Sequence, residues 1–156
     1  MSDDRYILVI ADGSKEMEVA LRYACARSKK TDRKIIIASF IEPLDVLTTQ
    51  GVSQIMKNEA REEAELKLKK ASSIVKDSTG LTPILHLREG EMISELIALI
   101  EEEKNINVLV LSANIDEAGP GKIINSLLTS NVYSKLRIPV MIVPGNFSKE
   151  HISLIT

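Results

Sequence analysis

The sequence predicts a three-layer α/β/α domain built on a five-stranded parallel sheet. Apolar runs bounded by turn residues recur five times, and amphipathic stretches of helical period separate them, which is the alternation of βα units around a buried parallel sheet. The 156 residues suit one domain, and 44% hydrophobic against 27% charged residues is the balance of a chain that forms a core without disulfides.

The first strand is read over Tyr6–Ala11, and it ends at Asp12, Gly13 and Ser14, where Gly13 permits a tight turn and Ser14 is placed to cap a helix. That helix is expected over Lys15–Ser28. Val19, Tyr23 and Ala26 recur along it at helical spacing, and Lys29, Lys30 and Arg33 put positive charge at or beyond its C-terminal end, where the macrodipole favours it. Lys34–Phe40 is the second strand, and Pro43 in Ile41, Glu42, Pro43 opens a loop. From about Val52 to Lys76 charges crowd together. Met56, Ala60, Ala64, Leu68, Ala71 and Val75 nevertheless share one stripe, so a long solvated helix with an apolar face is expected. Within it Glu63 and Lys67 form an opposite-sign pair at i, i+4, read as holding helix rather than ligand.

Gly80 and Pro83 frame a third strand near Thr82–Arg88, closed by Glu89 and Gly90. Ile93, Leu96, Ile97 and Ile100 then give the pattern of a helix packed on a sheet, ending near Glu103 and Lys104. Val108–Ser112 is aliphatic up to Ser112 and is therefore a central fourth strand. A helix from about Gly121 to Lys135 follows, with Pro120 near its first turn, and Val140–Val143 is the fifth strand. With right-handed crossovers the sheet order is 3-2-1-4-5. Strands one and four then lie side by side, and the reversal of winding between them opens a crevice at their C-terminal ends, bordered by Asp12–Ser14 and Ser112–Gly121.

A net charge of −2, from 20 basic and 22 acidic residues, gives no field to neutralise a phosphate backbone or an anionic bilayer, so no nucleic acid and no membrane partner is expected. Aromatics at 3% with no Trp remove the stacking platforms of single-strand binders. Cys25 by itself makes neither an internal disulfide nor a structural zinc site, and the apolar run Tyr6–Ile10 is too short for a signal core, so the reading is a cytoplasmic protein. The two histidines, His86 on a half-exposed strand face and His151 at a mobile end, are both placed away from the crevice. Cys25 reads as a packed thiol, Glu101–Glu103 as a solvated helix end, and Met17, Met56 and Met92 as core or edge packing. No residue pattern names a nucleophile, a catalytic set or a metal site.

The order of these elements, with Ile10, Ala11, Asp12, Gly13, Ser14 closing strand one, Ile41, Glu42, Pro43 after strand two, and Ile138, Pro139, Val140, Met141, Ile142, Val143 entering strand five, resembles the universal stress protein family. Gly119, Pro120 and Gly121 after strand four, together with the acidic run Glu59–Glu65, look like one subgroup of it. The resemblance implies an adenine nucleotide alpha hydrolase-like (Rossmann-like) fold for residues 1–145, with 146–156 as a C-terminal tail that is loose or dresses a sheet edge. It also implies a homodimer paired through strand five, at Val140, Met141, Ile142 and Val143.

In one branch of that family ATP occupies the crevice through a G-x2-G-x9-G-[ST] pattern. Those positions fall here on Ala113, Asp116, Ser126 and Leu127, and all four depart from it. Glycines let backbone N–H groups approach phosphates, whereas Asp116 sets a carboxylate beside them, so the expected phosphate loop is degenerate. The resemblance therefore implies an ATP or AMP site made of Asp12, Gly13, Ser14, Phe40, Ile41, Ser112, Ala113, Gly119, Gly121 and Ser126, with Thr129 and Ser130 as further hydroxyls if the register shifts. The alternative reading is an ATP-independent homodimeric interaction module, for which a filled or misshapen crevice is expected.

Overall fold

The computed structural model describes residues 4–43 and 50–156. The loop expected after Pro43 falls on residues 44–49, outside these residues, and the side chains of residues 50–52 and of Ser130 are likewise outside the description. Five parallel strands, β1 (Tyr6–Ile10), β2 (Lys34–Ile41), β3 (Ile84–Glu89), β4 (Ile106–Ala113) and β5 (Val140–Pro144), form one sheet in the order β3-β2-β1-β4-β5. The helices are α1 (Met17–Thr31), α2 (Gln50–Thr79), α3 (Met92–Glu102), α4 (Lys122–Leu128) and α5 (Lys149–Ile155).

Alternation along each strand splits the apolar side chains between two cores. Ile7 and Val9 of β1, Ile35 and Ile37 of β2, and Val108 and Val110 of β4 pack under α1 and the second half of α2, against Leu21, Leu68, Ala71 and Val75. Leu8, Ile36, Leu109 and Leu111 face the other way, against Leu96, Leu99 and Ile100 of α3 and Ile124 and Leu127 of α4. The near-continuous apolar strands are thus explained by burial on both faces.

Several expectations are corrected. Ser14 does not cap α1: Glu16 occupies the N-cap position, while the N–H and hydroxyl of Ser14 both donate to Asp12 Oδ1, at 2.9 and 2.7 Å. A short-range Asx interaction has outcompeted the cap. The apolar stripe of α2 is buried at Ala64, Leu68, Ala71 and Val75, whereas Met56 is exposed. The predicted fourth helix stops at Leu128 and continues as a 3-10 run over Thr129–Lys135, in which Asn131 takes φ +59° and its carbonyl accepts from the Ser134 hydroxyl. Pro120 precedes the Gly121 N-cap rather than opening the helix.

The segment after β5 is folded. Ser148 caps α5 by accepting from His151 N–H at 3.0 Å, Ile152 is buried in the core under α1, and His151 stacks edge-on with Phe147 at 4.5 Å rather than standing at a mobile end. Helix α3 is secured at both ends. Glu91 accepts from the N–H groups of Ser94 (2.7 Å) and Ile93 (3.3 Å), and Arg137, from beyond the 3-10 run, donates to the carbonyl of Ile100 at 2.6 Å and of Glu103 at 3.2 Å. Arg88 on β3 ties this helix to the sheet edge, bonding Glu102 through two nitrogens at 2.7 and 3.1 Å and Glu95 at 3.1 Å.

The Ser94 N–H holds the Glu91 carboxyl below the usual carboxylate range, and the Arg88 guanidinium does the same for Glu102. For a depressed carboxylate the stabilisation is complete above the unfolded value and disappears as pH falls through the folded one, because the unfolded chain takes up the proton first. Urea unfolding from pH 7 to pH 3 is therefore expected to show stability falling below about pH 4.3. The Glu91→Gln/Glu102→Gln double variant should have a shallower acid limb, and parallel limbs would refute this assignment.

Candidate functional site

Strands β1 and β4 run side by side, Ile7 opposite Val108, Leu8 opposite Leu109 and Val9 opposite Val110, and the chain leaves them toward opposite edges of the sheet. Beyond their C-terminal ends lies a cavity of about 560 Å³, the place where open α/β sheets bind ligands. Its wall on the β1 side is the turn Asp12, Gly13, Ser14. Gly13 takes φ +79°, a conformation that suits glycine, and the Asp12 carboxylate fastens the turn through Ser14.

Ser112, near the end of β4, donates its hydroxyl to the Glu16 carbonyl and so locks the start of α1 onto the neighbouring strand. Gly145, just past β5, donates its N–H to the Ala113 carbonyl at 2.8 Å. A Cβ at this glycine would sit 2.5 Å from that carbonyl oxygen and 2.9 Å from Glu16 Cβ, so the absence of a side chain is what lets β4, β5 and α1 converge here.

Of the residues expected from sequence, Asp12, Gly13, Ser14, Phe40, Ser112 and Gly121 line the cavity. Ile41 is buried, with its carbonyl accepting from Gly90 N–H at 2.9 Å, and Ala113 continues the β4 ladder behind the wall. Gly119, at φ +102°, closes a turn by donating its N–H to the Asp116 carbonyl at 3.2 Å. Ser126 and Thr129 face a separate recess that they share with Glu91 and Ile93. Ser126 on α4 and Thr129 at the start of the 3-10 run thus lie apart from the cavity that Ile123 and Ile124 border.

The structure adds residues that the sequence reading missed. Met92, from the start of α3, adds apolar wall beside the expected Phe40, and two acidic residues, Glu16 and Glu42, and two basic ones, Lys67 and Lys122, also line the cavity. Lys67 comes from the middle of α2, as the same Glu63–Lys67 pair, here 3.7 Å apart, that read as helix support. Lys122 did carry a signal, a cation at a helix start, where the macrodipole disfavours it. It lies 3.7 Å from Glu42.

The remaining candidates stand away from the cavity. His86 lies 3.8 Å from Glu103 on the far edge of the sheet, and Cys25 is buried in α1, where desolvation raises its thiol pKa against the opposing pull of Ser78 and Lys29. Among the described residues no group of three or more His, Cys, Asp or Glu side chains is placed to hold a metal ion, and no helix is long and apolar enough to cross a membrane.

Residues 5–144 match the universal stress protein family. The chain belongs to that family. Solved universal stress proteins share its architecture: UspA from Lactobacillus plantarum superposes with a TM-score of 0.72 at 12% identity over 92% of this chain and 99% of that one. A universal stress protein in complex with cAMP gives 0.64 at 22% identity, over 93% of this chain and 100% of that one. The Archaeoglobus fulgidus universal stress protein in complex with dAMP gives 0.63 at 18% identity, over 90% and 97%. At these identities the likeness is one of fold. No curated protein matches the sequence closely enough to add to this.

For this universal stress protein, the corner around Gly145 sets the shape of the site. Gly145→Ala is expected to lower unfolding free energy by about 1 to 3 kcal/mol, since the new methyl meets backbone rather than a movable side chain. Unchanged denaturant midpoints would refute the close approach.

Proposed function

We propose that this universal stress protein binds an adenine nucleotide of the AMP type in the cavity between β1 and β4. The observation that carries the reading is the open cavity of about 560 Å³ at the point where the sheet reverses its winding, with Asp12 and Gly121 on its walls. For an interaction module without a nucleotide site, a filled or misshapen crevice was expected. Relatives of the same fold in complex with cAMP and with dAMP support the same ligand class.

In this reading the adenine lies against Phe40 and Met92, Asp12 accepts from the ribose hydroxyls, and the phosphate lies toward Gly121. ATP is a weaker candidate, because the loop after β4 lacks the glycines that would admit a chain of phosphates. Calorimetry and thermal shift with AMP, cAMP and ATP at millimolar concentration test the proposal. A ligand that binds only the folded chain adds about 2.7 kcal/mol of stability at a hundred times its Kd. Asp12→Ala should weaken AMP binding about tenfold or more, as expected for losing a charged hydrogen bond. Absence of both heat and thermal shift in the wild type overturns the reading.

We propose further that the protein works in the cytoplasm as a homodimer paired through β5, with residues 1–145 as the family domain. The edge position of this short apolar strand supports pairing. Val143 is buried and Met141 packs on the α1-side core, whereas Ile142 is 45% exposed, so Ile142 is the residue to change. Ile142→Lys is expected to give a monomer by light scattering, and an unchanged dimer would refute pairing through this strand.

A further inference from the structure

Three amides of the loop between β4 and α4 are engaged within the loop itself. The N–H of Asn114 donates to the Pro120 carbonyl at 3.0 Å, that of Asp116 to Asn114 Oδ1 at 3.0 Å, and that of Gly119 to the Asp116 carbonyl at 3.2 Å. A phosphate seeking the backbone donors of a glycine loop finds these three engaged. Positive charge reaches the cavity by another route, one lysine from each helical layer: Lys67 from α2 and Lys122 from α4.

Lys67 lies across the turn that closes β1. A Cβ on Gly13 would stand 2.7 Å from its Cε and 3.2 Å from its Cδ, so the glycine makes room for the lysine stem as well as for its own positive φ. The lysine side chain is 33% exposed, and its Glu63 partner, 3.7 Å away, is 70% exposed. Lys122 and Glu42 stand at the same separation, also largely in solvent. Exposed pairs longer than a hydrogen bond are weak, so a phosphate arriving in the cavity can take both ammonium groups as donors.

The charge balance of the walls limits how much phosphate the cavity accepts. Asp12, Glu16 and Glu42 stand against Lys67 and Lys122, an excess of one negative charge before any ligand enters. Two lysines suit one phosphate, whereas a triphosphate, with roughly twice the charge of a monophosphate, would set its surplus against the carboxylates.

We infer that Lys67 and Lys122 form a side-chain phosphate clasp in place of the glycine loop, selecting adenine nucleotides with a single phosphate over the triphosphate. This inference rests on the nucleotide reading above, and the comparison of ligands separates the two. Calorimetry on the full chain with adenosine, AMP and ATP is expected to show AMP binding about tenfold tighter than adenosine, the gain of a charge-assisted hydrogen-bond set, and tighter than ATP. The AMP advantage should shrink with added salt.

In Lys67→Met, which keeps an apolar stem over Gly13, the AMP-to-adenosine affinity ratio should fall toward one, and Lys67→Arg should restore most of it. Lys122→Met should lower the same ratio. An unchanged ratio in both Met variants, or ATP binding more tightly than AMP, overturns the clasp. Adenosine binding with no advantage for AMP overturns the clasp alone. If neither adenosine nor AMP binds the wild type, the nucleotide reading falls and takes the clasp with it.

Discussion

The parallel pairing of β1 with β4 is the constraint on which the rest of the molecule depends. Strand β1, with the aliphatic run Ile7–Ile10, is paired on one side with β2 and on the other with β4, and from this central pair the chain winds outward in two directions. Beyond the end of the pair, among the described residues, lies the cavity, at the point where the winding of the sheet reverses. The Ser112 hydroxyl on the Glu16 carbonyl and the bare Gly145 then hold the rims of that cavity together. Burial of both sheet faces makes this frame stiff, since Leu8 and Val9 are adjacent in sequence yet belong to different cores.

A frame fixed in this way tolerates change in the loops mounted on it. The stretch from Asn114 to Gly121 has closed on itself through its own carbonyls and the Asn114 side chain, and the sheet beneath it keeps the register of β4 with both neighbours. Fold and ligand chemistry are separable for this reason: strand burial stabilises the first, and a handful of loop and helix-start groups set the second. In this chain Asp12 at the end of β1 lines the cavity, and the two lysines that line it come from helices packed on opposite faces of the sheet.

The legible parts of the sequence were those governed by local pattern. Apolar runs marked all five strands to within two residues at their ends, and their arrangement with the helices implied the observed sheet order. Pattern was a poorer guide where neighbours compete for the same group. Ser14 had the identity of a cap, but Asp12 two residues away offered its donors a closer acceptor. Met56 shared the stripe of Ala64 and Leu68, yet periodicity says which face a residue occupies and not which of its residues meet a partner. Ser126, aligned with a family glycine, was carried by the turn of α4 into another recess.

Sequence by itself determined the order and type of the elements and, through them, the sheet order that sets a crevice between β1 and β4, because local pattern marks each element. Tertiary structure alone decided which side chains line that crevice. Lys67 reads in sequence as one partner of an i, i+4 pair on a wet helix, and only the packing of α2 over α1 and β2 lays its stem on Gly13. Short-range periodicity encodes the face of an element, whereas the contacts between faces arise only when separate elements share a core.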